Sequence, residues 1–208
     1  ESAWQAGANE VLVSDGGSTD ETPQIAGSLD CKLIASARGR ALQQNEAARL
    51  AHGDVLLFLH ADCALASGVA NQIERTLAKP QVLHGAFRQR IEAQGVGFRL
   101  LERGNAARVR LLGLPYGDQA IFVRRSLFEK LGGFPEVPLL EDLILMQRLR
   151  QRAWPALLPG PVFVNPRRWQ SRGIVRQTLR NWRIVSAYSL GVPPDQLAGQ
   201  YPAHSVQS

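Results

Sequence analysis

Short apolar runs alternate with helix-like segments through the first half of the chain. The runs at residues 11–13, 32–34 and 55–59 have the length of strands. Residues 22–28 and 39–51, which lie between them, carry helical patterns. Strands that alternate with helices of this length indicate βαβ units, so the pattern predicts an α/β fold with a mostly parallel sheet. Ligands of such sheets bind beyond the carboxyl ends of the strands.

The second half of the chain is less regular. Its predicted strands are residues 83–90 and 120–123, and its predicted helices are residues 98–112, 126–131, 141–152 and 174–190. Residues 155–164 are interpreted as short strands that prolines interrupt. Because no repeat or linker divides the chain, we predict one domain over residues 1–208.

Composition narrows the class of protein. Hydrophobic residues make up 45% of the chain and charged residues 20%, which is typical of a globular protein and excludes a disordered one. The formal net charge is +6, and lysine occurs at only three positions. The arginine excess suits phosphates, nucleic acid or anionic membranes, although genomic base composition explains it equally well. The basic helix at residues 174–190 is interpreted as packing on the core, with contact to a membrane surface as the alternative.

Cysteine usage and hydropathy bear on location. Cys31 and Cys63 lack the spacing of a disulfide framework or a zinc site, which favours a reducing cytosol. No apolar run approaches the roughly 20 residues of a membrane helix, and no leader pattern marks the chain for secretion. We therefore expect a cytoplasmic protein, with a position at the inner face of the membrane left open.

A polar loop follows the first predicted strand. Residues 15–20 (DGGSTD) contain glycines that permit close backbone approach, and Asp15 is able to accept hydrogen bonds from a base or a ribose. Thr19 and Asp20 are equally suited to cap the next helix. The spacing alone leaves both interpretations open.

Three further acidic positions occur at ends of predicted elements. His60-Ala61-Asp62 follows a buried strand, where a carboxylate is able to hold a cation that bridges phosphates. Glu141-Asp142 opens a helix, so these carboxylates either complement the helix dipole or supply a general base. Gly117-Asp118-Gln119 is a polar turn before the strand at 120–123. Each has a purely structural alternative as a cap or turn.

Taken together and in this order, the segments resemble glycosyltransferase family 2, which has the GT-A fold. The matching segments are EVLVSDGGSTDET, GRALQQNEAARLAHGDVLLFLHADCAL, GDQAIFVRRSLFEKLGGFPEVPLLEDLILMQRLR and NWRIVSAYSLGVPPDQL. The pattern is similar to a bacterial family 2-like subgroup that is sometimes linked to arsenosugar biosynthesis. Residues 167–169 (RRW) loosely resemble the RW element of processive relatives but lack its preceding glutamine.

The resemblance implies roles for individual residues. The expected donor-binding residues are Asp15, Gly16, Ser18, Arg38, Arg40, Asn45, His60 and Asp118. Asp62 matches the last Asp of the family's D-x-D motif and is the expected ligand of a divalent cation, Mn²⁺ or Mg²⁺. His60 replaces the first Asp of that motif and brings no negative charge, which weakens the case for Mg²⁺. Asp142 is the expected catalytic base, with Glu141 as its support.

The implied reaction is metal-assisted transfer of a sugar, with inversion, from a nucleotide-diphosphosugar to an acceptor hydroxyl, lipid-linked in many relatives. Residues 1–66 would form the nucleotide-binding half and residues 67–208 the acceptor-side half. Family members begin with a strand that lies centrally in the sheet, and this chain opens after it, so we expect a GT-A sheet that lacks its first strand.

Two other functions remain open at this stage. A sugar-phosphate nucleotidyltransferase shares the α/β core and metal-held phosphates. A non-catalytic phosphate or nucleic-acid binding module would also account for the arginine excess, but it predicts basic residues interleaved with exposed aromatics. The sequence resemblance favours sugar transfer and no nucleic-acid partner.

Overall fold

A computed structural model of the protein describes residues 1–199. The helices are α1 (Ser2–Gln5), α2 (Thr22–Ser28), α3 (Arg40–Leu50), α4 (Val69–Leu77), α5 (Val96–Leu112), α6 (Arg125–Lys130), α7 (Glu141–Arg150), α8 (Arg167–Arg172), α9 (Ile174–Ser189) and α10 (Pro194–Ala198). The strands are β1 (Leu12–Asp15), β2 (Lys32–Ala35), β3 (Val55–Phe58), β4 (Cys63–Leu65), β5 (His84–Ile91), β6 (Ile121–Arg124) and β7 (Ala156–Val164), and Gly117–Gln119 form a 3-10 turn.

The strands form two sheets. β1 and β2 pair in parallel, and a five-stranded sheet has the order β3-β6-β5-β7-β4. In the larger sheet β5 and β7 are parallel, whereas the other three pairs are antiparallel. The α/β fold is therefore confirmed with a mixed sheet. The expectation of mostly parallel pairing is wrong: β1–β2 and β5–β7 are parallel, but the three pairs β3–β6, β5–β6 and β4–β7 are antiparallel.

One side of β1 and one side of β3 have no strand partner within residues 1–199. Helix α3 packs against β1 instead, and the Gln43 side-chain amide donates a 3.0 Å hydrogen bond to the carbonyl oxygen of Ser14. A side chain thus satisfies a backbone acceptor that a neighbouring strand would otherwise reach.

Hydrophobic clusters cover both faces of the five-stranded sheet. Successive residues of β6 face opposite sides, so that Phe122 belongs to one cluster while Ile121 and Val123 belong to the other. The first cluster is completed by α4 and β7, and the second by α3, α6 and α7. A third, smaller cluster joins the start of α7 to α9 and α10. Both faces of the sheet are thereby buried, and the polar loops lie at its edge.

Residues 156–164 and helix α4 are two of the segments that differ from the sequence-based expectation. Residues 156–164 form one continuous strand with a bulge, not several short strands, because β5 and β4 pair with it on either side and supply partners past its prolines. Helix α4 was not predicted, although Val69, Ile73 and Leu77 recur at helical spacing and are all buried.

Candidate active site

The pairing of β3 with β6 brings two distant acidic residues to one edge of the sheet. Because the strands are antiparallel with Phe58 opposite Ile121, the segment that follows β3 lies beside the segment that precedes β6. Asp62 belongs to the first segment and Asp118 to the second. Both residues line the same pocket.

The end of β7 closes this pocket from a third direction. Cys63 of β4 pairs with Val164, and the Asn165 amide donates a 3.1 Å hydrogen bond to the carbonyl oxygen of Asp62. The lining residues are Asp62, Asp118, Val164, Asn165, Arg168 and Trp169. We name this set the Asp62 pocket.

Charges of both signs meet in the Asp62 pocket. The Arg168 guanidinium lies 4.0 Å from Asp62 Oδ2, and about half of the Asp62 side chain is exposed. Asp118 Oδ1 is buried and has no hydrogen-bond partner among residues 1–199. Burying a carboxylate oxygen without a partner lowers the stability of the fold. This atom is therefore available to accept a hydrogen bond from a bound molecule or to coordinate a cation.

Asp62 and Asp118 supply the oxygen ligands that a divalent cation such as Mg²⁺ or Mn²⁺ prefers. No cluster of three or more His, Cys, Asp or Glu residues suitable for a metal occurs in the described part of the chain. A cation of the Mg²⁺ or Mn²⁺ type takes only one or two protein carboxylates and completes its shell with phosphates and water, which Asp62 and Asp118 satisfy. Burial, reinforced by Asp62 and Asp118, raises the pKa of the Cys63 thiol.

Asp142, Gly117 and His60 form a second group beside this pocket. Asp142 Oδ2 accepts a 2.6 Å hydrogen bond from the Gly117 amide, and Oδ1 accepts one of 2.7 Å from the Leu143 amide. A side-chain carbon placed on Gly117 would lie 2.6 Å from His60 Nε2 and 3.3 Å from Asp142 Oδ2. Glycine therefore permits the imidazole and the carboxylate to share this position. His60 and Asp142 thus both lie next to Gly117, and His60 is not among the residues that line the Asp62 pocket.

Glu141 is the buried partner of Arg40. The guanidinium makes two contacts with the carboxylate, 2.9 Å from Nε to Oε1 and 3.3 Å from Nη2 to Oε2. Burial raises the pKa of Glu141, with Asp142 acting in the same direction and Arg40 opposing both. The pair joins the start of α3 to the start of α7, and so connects the β1 side of the molecule to the helix that carries Asp142.

The loop after β1 is organised around Asp15. Its carboxylate accepts hydrogen bonds from the Gly17 amide and from the amide and hydroxyl of Ser18. The bonds from Ser18 lower the pKa of Asp15 and keep it ionised. Gly16 lies against the Gln43 side chain of α3. No contact joins Asp15 to Asp62 or Asp142 among the described residues, so its donor-binding role stays a prediction.

Arg38 and Asn45, two other predicted donor-binding residues of this region, lie in different environments. Arg38 is exposed before α3. Asn45 binds the backbone of Phe134 twice, donating from Nδ2 at 2.8 Å and accepting at Oδ1 at 2.9 Å. Its amide thus holds α3 to the loop before α7. Arg40, Asn45 and Gln43 all act as ties between elements.

Arg108 is a residue of this site that the sequence analysis missed. It lies under the turn before β6, where its guanidinium donates to the Leu114 carbonyl oxygen at 2.9 Å and to Gln119 Oε1 at 2.8 Å and stacks 3.3 Å from the Tyr116 ring centroid. Burial lowers the pKa of Arg108, and Tyr116, Asp118 and Asp142 oppose that shift. The sequence offered one indication of Arg108, because it is a basic residue on the inner side of a helix. The groups that compensate for its burial, however, come from another segment.

The family model of Glycosyl transferase family 2 matches residues 5–132, which is more than half of the chain. The chain belongs to glycosyl transferase family 2. This family model covers Asp15, Asp62 and Asp118, whereas Glu141 and Asp142 lie beyond it. Among curated protein sequences, none matches this family 2 chain.

Solved structures of glycosyltransferases share the fold of this family 2 chain. S. aureus TarS 1-349 is 20% identical, with a TM-score of 0.59 over 76% of this chain and 51% of that chain. The same protein in complex with UDP gives 21% and 0.58 over 79% and 54%. The mannosyltransferase PcManGT from Pyrobaculum calidifontis, in complex with GDP-Man and Mn²⁺, gives 23% and 0.51 over 86% and 51%. The chain therefore spans about half the length of these neighbours.

Proposed function

We propose that this family 2 protein transfers a sugar from a nucleotide-diphosphosugar to an acceptor hydroxyl, with inversion at the anomeric carbon and with the help of a divalent cation. The observation that carries the proposal is the position of Asp142 beside the turn that presents Asp118 to the Asp62 pocket. A base and a diphosphate site are thereby adjacent, as a direct displacement needs. Neighbours in complex with UDP, UDP-GlcNAc, and GDP-Man with Mn²⁺ support this choice of donor.

Asp142 is proposed as the general base. Each of its oxygens accepts one backbone hydrogen bond and keeps a lone pair for the proton of the acceptor hydroxyl. As the acceptor oxygen attacks the anomeric carbon, its proton passes to Asp142 and the bond from that carbon to the diphosphate breaks, with the electron pair leaving on the diphosphate. His60, like Asp142, lies next to Gly117. It is proposed to contact the donor sugar.

Asp62 and Asp118 are proposed to hold the cation, and Arg168 to contact the diphosphate. When bound, the cation offsets the negative charge that develops on the leaving group. Arg168, at 4.0 Å from Asp62, adds a fixed positive charge on the same side. Asp15, Gly16 and Ser18 are proposed to receive the nucleotide, and Arg38 and Arg40 to lie over its phosphates, as in the sequence resemblance.

The test of this function is a donor titration by calorimetry with UDP-GlcNAc and GDP-mannose, each with and without Mn²⁺. We expect one nucleotide sugar to bind with an affinity that rises when Mn²⁺ is added. Release of pyrophosphate from a nucleoside triphosphate and a sugar phosphate would identify a nucleotidyltransferase instead. Mn²⁺-independent binding of phosphate-containing polymers, with no nucleotide-sugar binding, would contradict an enzyme of either kind. We further propose a cytoplasmic location, since Cys31 and Cys63 are free thiols.

A Gly117→Ala substitution tests the close approach of His60 and Asp142. The added methyl group would lie 2.6 Å from His60 Nε2, so the ring and the adjacent carboxylate must shift. We expect the turnover rate to fall on the order of 10²-fold, because displacements near 1 Å cost about this much. The measurement is steady-state sugar transfer to the acceptor, together with the unfolding midpoint.

Gly104→Ala is the matched control for that substitution. Gly104 lies within α5, and a methyl group there would meet no atom within 4 Å. We expect unchanged turnover and a slightly higher unfolding midpoint, since alanine favours a helix by up to about 1 kcal/mol over glycine. Equal turnover in Gly117→Ala and the wild type would show that the His60–Asp142 arrangement does not matter to the reaction.

A further inference from the structure

Helix α9 exposes a stripe of large apolar side chains. Val175, Leu179 and Trp182 are 72%, 52% and 65% exposed. Their spacing of four and then three residues places them on one face of the helix. We call these three residues the outer face of α9. Isolated exposed apolar residues are ordinary, but an aligned set on one helix face indicates an interaction site.

The opposite face of α9 already has its packing partners. Ile184 is buried in the cluster that contains Leu143 of α7 and Leu197 of α10, and Gln177 is also buried. The outer face therefore does not serve to attach α9 to the rest of the described chain. The expectation that this helix packs on the core is correct for one face and leaves the other unexplained.

The stretch of chain that contains this face carries charge of a single sign. Between Leu143 and Pro194 the chain has nine arginines and no aspartate, glutamate or lysine. Arg176 and Arg183 of α9 are exposed and stand beside the outer face. An ordinary solvent-facing helix mixes both charges with polar residues, whereas this one combines bulky apolar groups with cations that remain charged at any physiological pH.

We propose that the outer face of α9 docks on an anionic lipid bilayer. Valine, leucine and tryptophan enter the boundary between headgroups and acyl chains, and the flanking arginines bind lipid phosphates. Single-stranded nucleic acid is bound mainly by stacking on aromatic rings, and this face has one aromatic and two aliphatic side chains. No helix within residues 1–199 is long and apolar enough to cross a membrane, so the contact would be peripheral.

The start of α9 extends this surface toward the candidate active site. A carbon placed on Gly97 of α5 would lie 3.0 Å from Ile174 Cδ1, so the first turns of α5 and α9 meet. Val96 and Leu100 of α5 are exposed there too. On the other side, α9 follows directly from α8, whose Arg168 lines the Asp62 pocket. Docking would hold that pocket close to the lipid surface, a consequence that rests on the proposed function, whereas the docking itself does not.

The experiment is sedimentation of the protein with phosphatidylcholine vesicles and with vesicles of equal parts phosphatidylcholine and phosphatidylglycerol. We expect binding to the anionic vesicles, much weaker binding to the neutral ones, and loss of binding in high salt. Arg176→Gln and Arg183→Gln should each lower the partition coefficient by roughly fivefold, since a basic residue near an anionic surface is worth about 1 kcal/mol. Arg75→Gln, an exposed arginine of α4 outside the acid-free stretch, is the matched control and should bind like the wild type.

A second pair of variants tests the apolar contact. Leu179→Gln/Trp182→Gln should abolish sedimentation with anionic vesicles, while the control Ile25→Gln/Leu33→Gln, which removes two exposed apolar side chains elsewhere, should not. Thermal melts of all variants check that each is folded. Equal vesicle binding by wild type and the Leu179/Trp182 variant would overturn the proposal. So would a wild type that ignores vesicles but self-associates, or binds single-stranded RNA, through these same residues. Neither result would bear on sugar transfer, which the donor titration tests separately.

Discussion

Asp142→Asn is expected to lower the turnover rate of sugar transfer by about 10² to 10⁴-fold, the range that a positioned general base contributes. Asparagine has nearly the same shape but takes up no proton from the acceptor hydroxyl. Donor affinity should stay within about twofold, because the proposed diphosphate contacts come from Asp62, Asp118 and Arg168. Turnover and donor binding, measured separately by kinetics and calorimetry, check both parts.

The structure sets the controls for this variant. Both Asp142 oxygens accept backbone N–H groups, so the asparagine amide must face one of these donors and lose a hydrogen bond. A modest fall in the unfolding free energy, of about 1–3 kcal/mol, is therefore expected and should be measured alongside. Asp195→Asn is the matched control, since Asp195 is also a first-turn carboxylate of a helix and lies outside the site. A loss of donor affinity as large as the loss of turnover would contradict the base assignment.

Asp62→Asn is expected to have the second large effect, on binding as well as on rate. The substitution removes the charge of the proposed cation ligand and leaves Arg168 without the carboxylate 4.0 Å away. We expect transfer to fall on the order of 10² to 10³-fold, since a bound cation supplies several kcal/mol to the departure of a diphosphate. The gain in donor affinity on adding Mn²⁺ should also disappear, which calorimetry measures directly.

The matched control for Asp62→Asn lies at the other end of the same strand. Asp54 precedes β3, is exposed, and is far from the carboxyl end where Asp62 follows. Asp54→Asn should leave both transfer and the Mn²⁺ response unchanged. If Asp62→Asn kept the wild-type Mn²⁺ response, the cation would have to be held elsewhere. Asp142→Asn and Asp62→Asn thus separate base chemistry at Asp142 from diphosphate binding at Asp62.

Most elements of the fold could be predicted from local patterns. The expected helix at residues 22–28 is confirmed as α2 with the same bounds, and the helix opening at Glu141 and the helix opening at Ile174 are confirmed at their first residues. The apolar periodicity of each helix is contained within its own segment, and Gly173 directly precedes the helix that opens at Ile174. No distant residue is therefore needed to predict these helices.

Long-range pairing explains what local patterns missed. The prolines at 155, 159 and 161 suggested broken strands, yet strands on both sides hold residues 156–164 as one. Nothing near Asn45 in the sequence indicates Phe134, because the two residues are far apart along the chain. Nothing near Arg108 indicates that Tyr116 and Gln119 bind it, because they lie on a separate turn. Burial of these polar groups is stable only where such partners arrive.

The sequence by itself determined which residues stand at element ends: Asp15 at the end of a strand, Asp62 after one, Asp118 before one, and Asp142 at a helix start. Those positions follow from local hydrophobic periodicity and turn residues. Only the tertiary structure decided which of these ends meet. The antiparallel pairing of β3 with β6 places Asp118 beside Asp62, and the absence of a side chain at Gly117 lets Asp142 and His60 converge. Strand direction and close approach depend on contacts between distant segments, which no local pattern encodes.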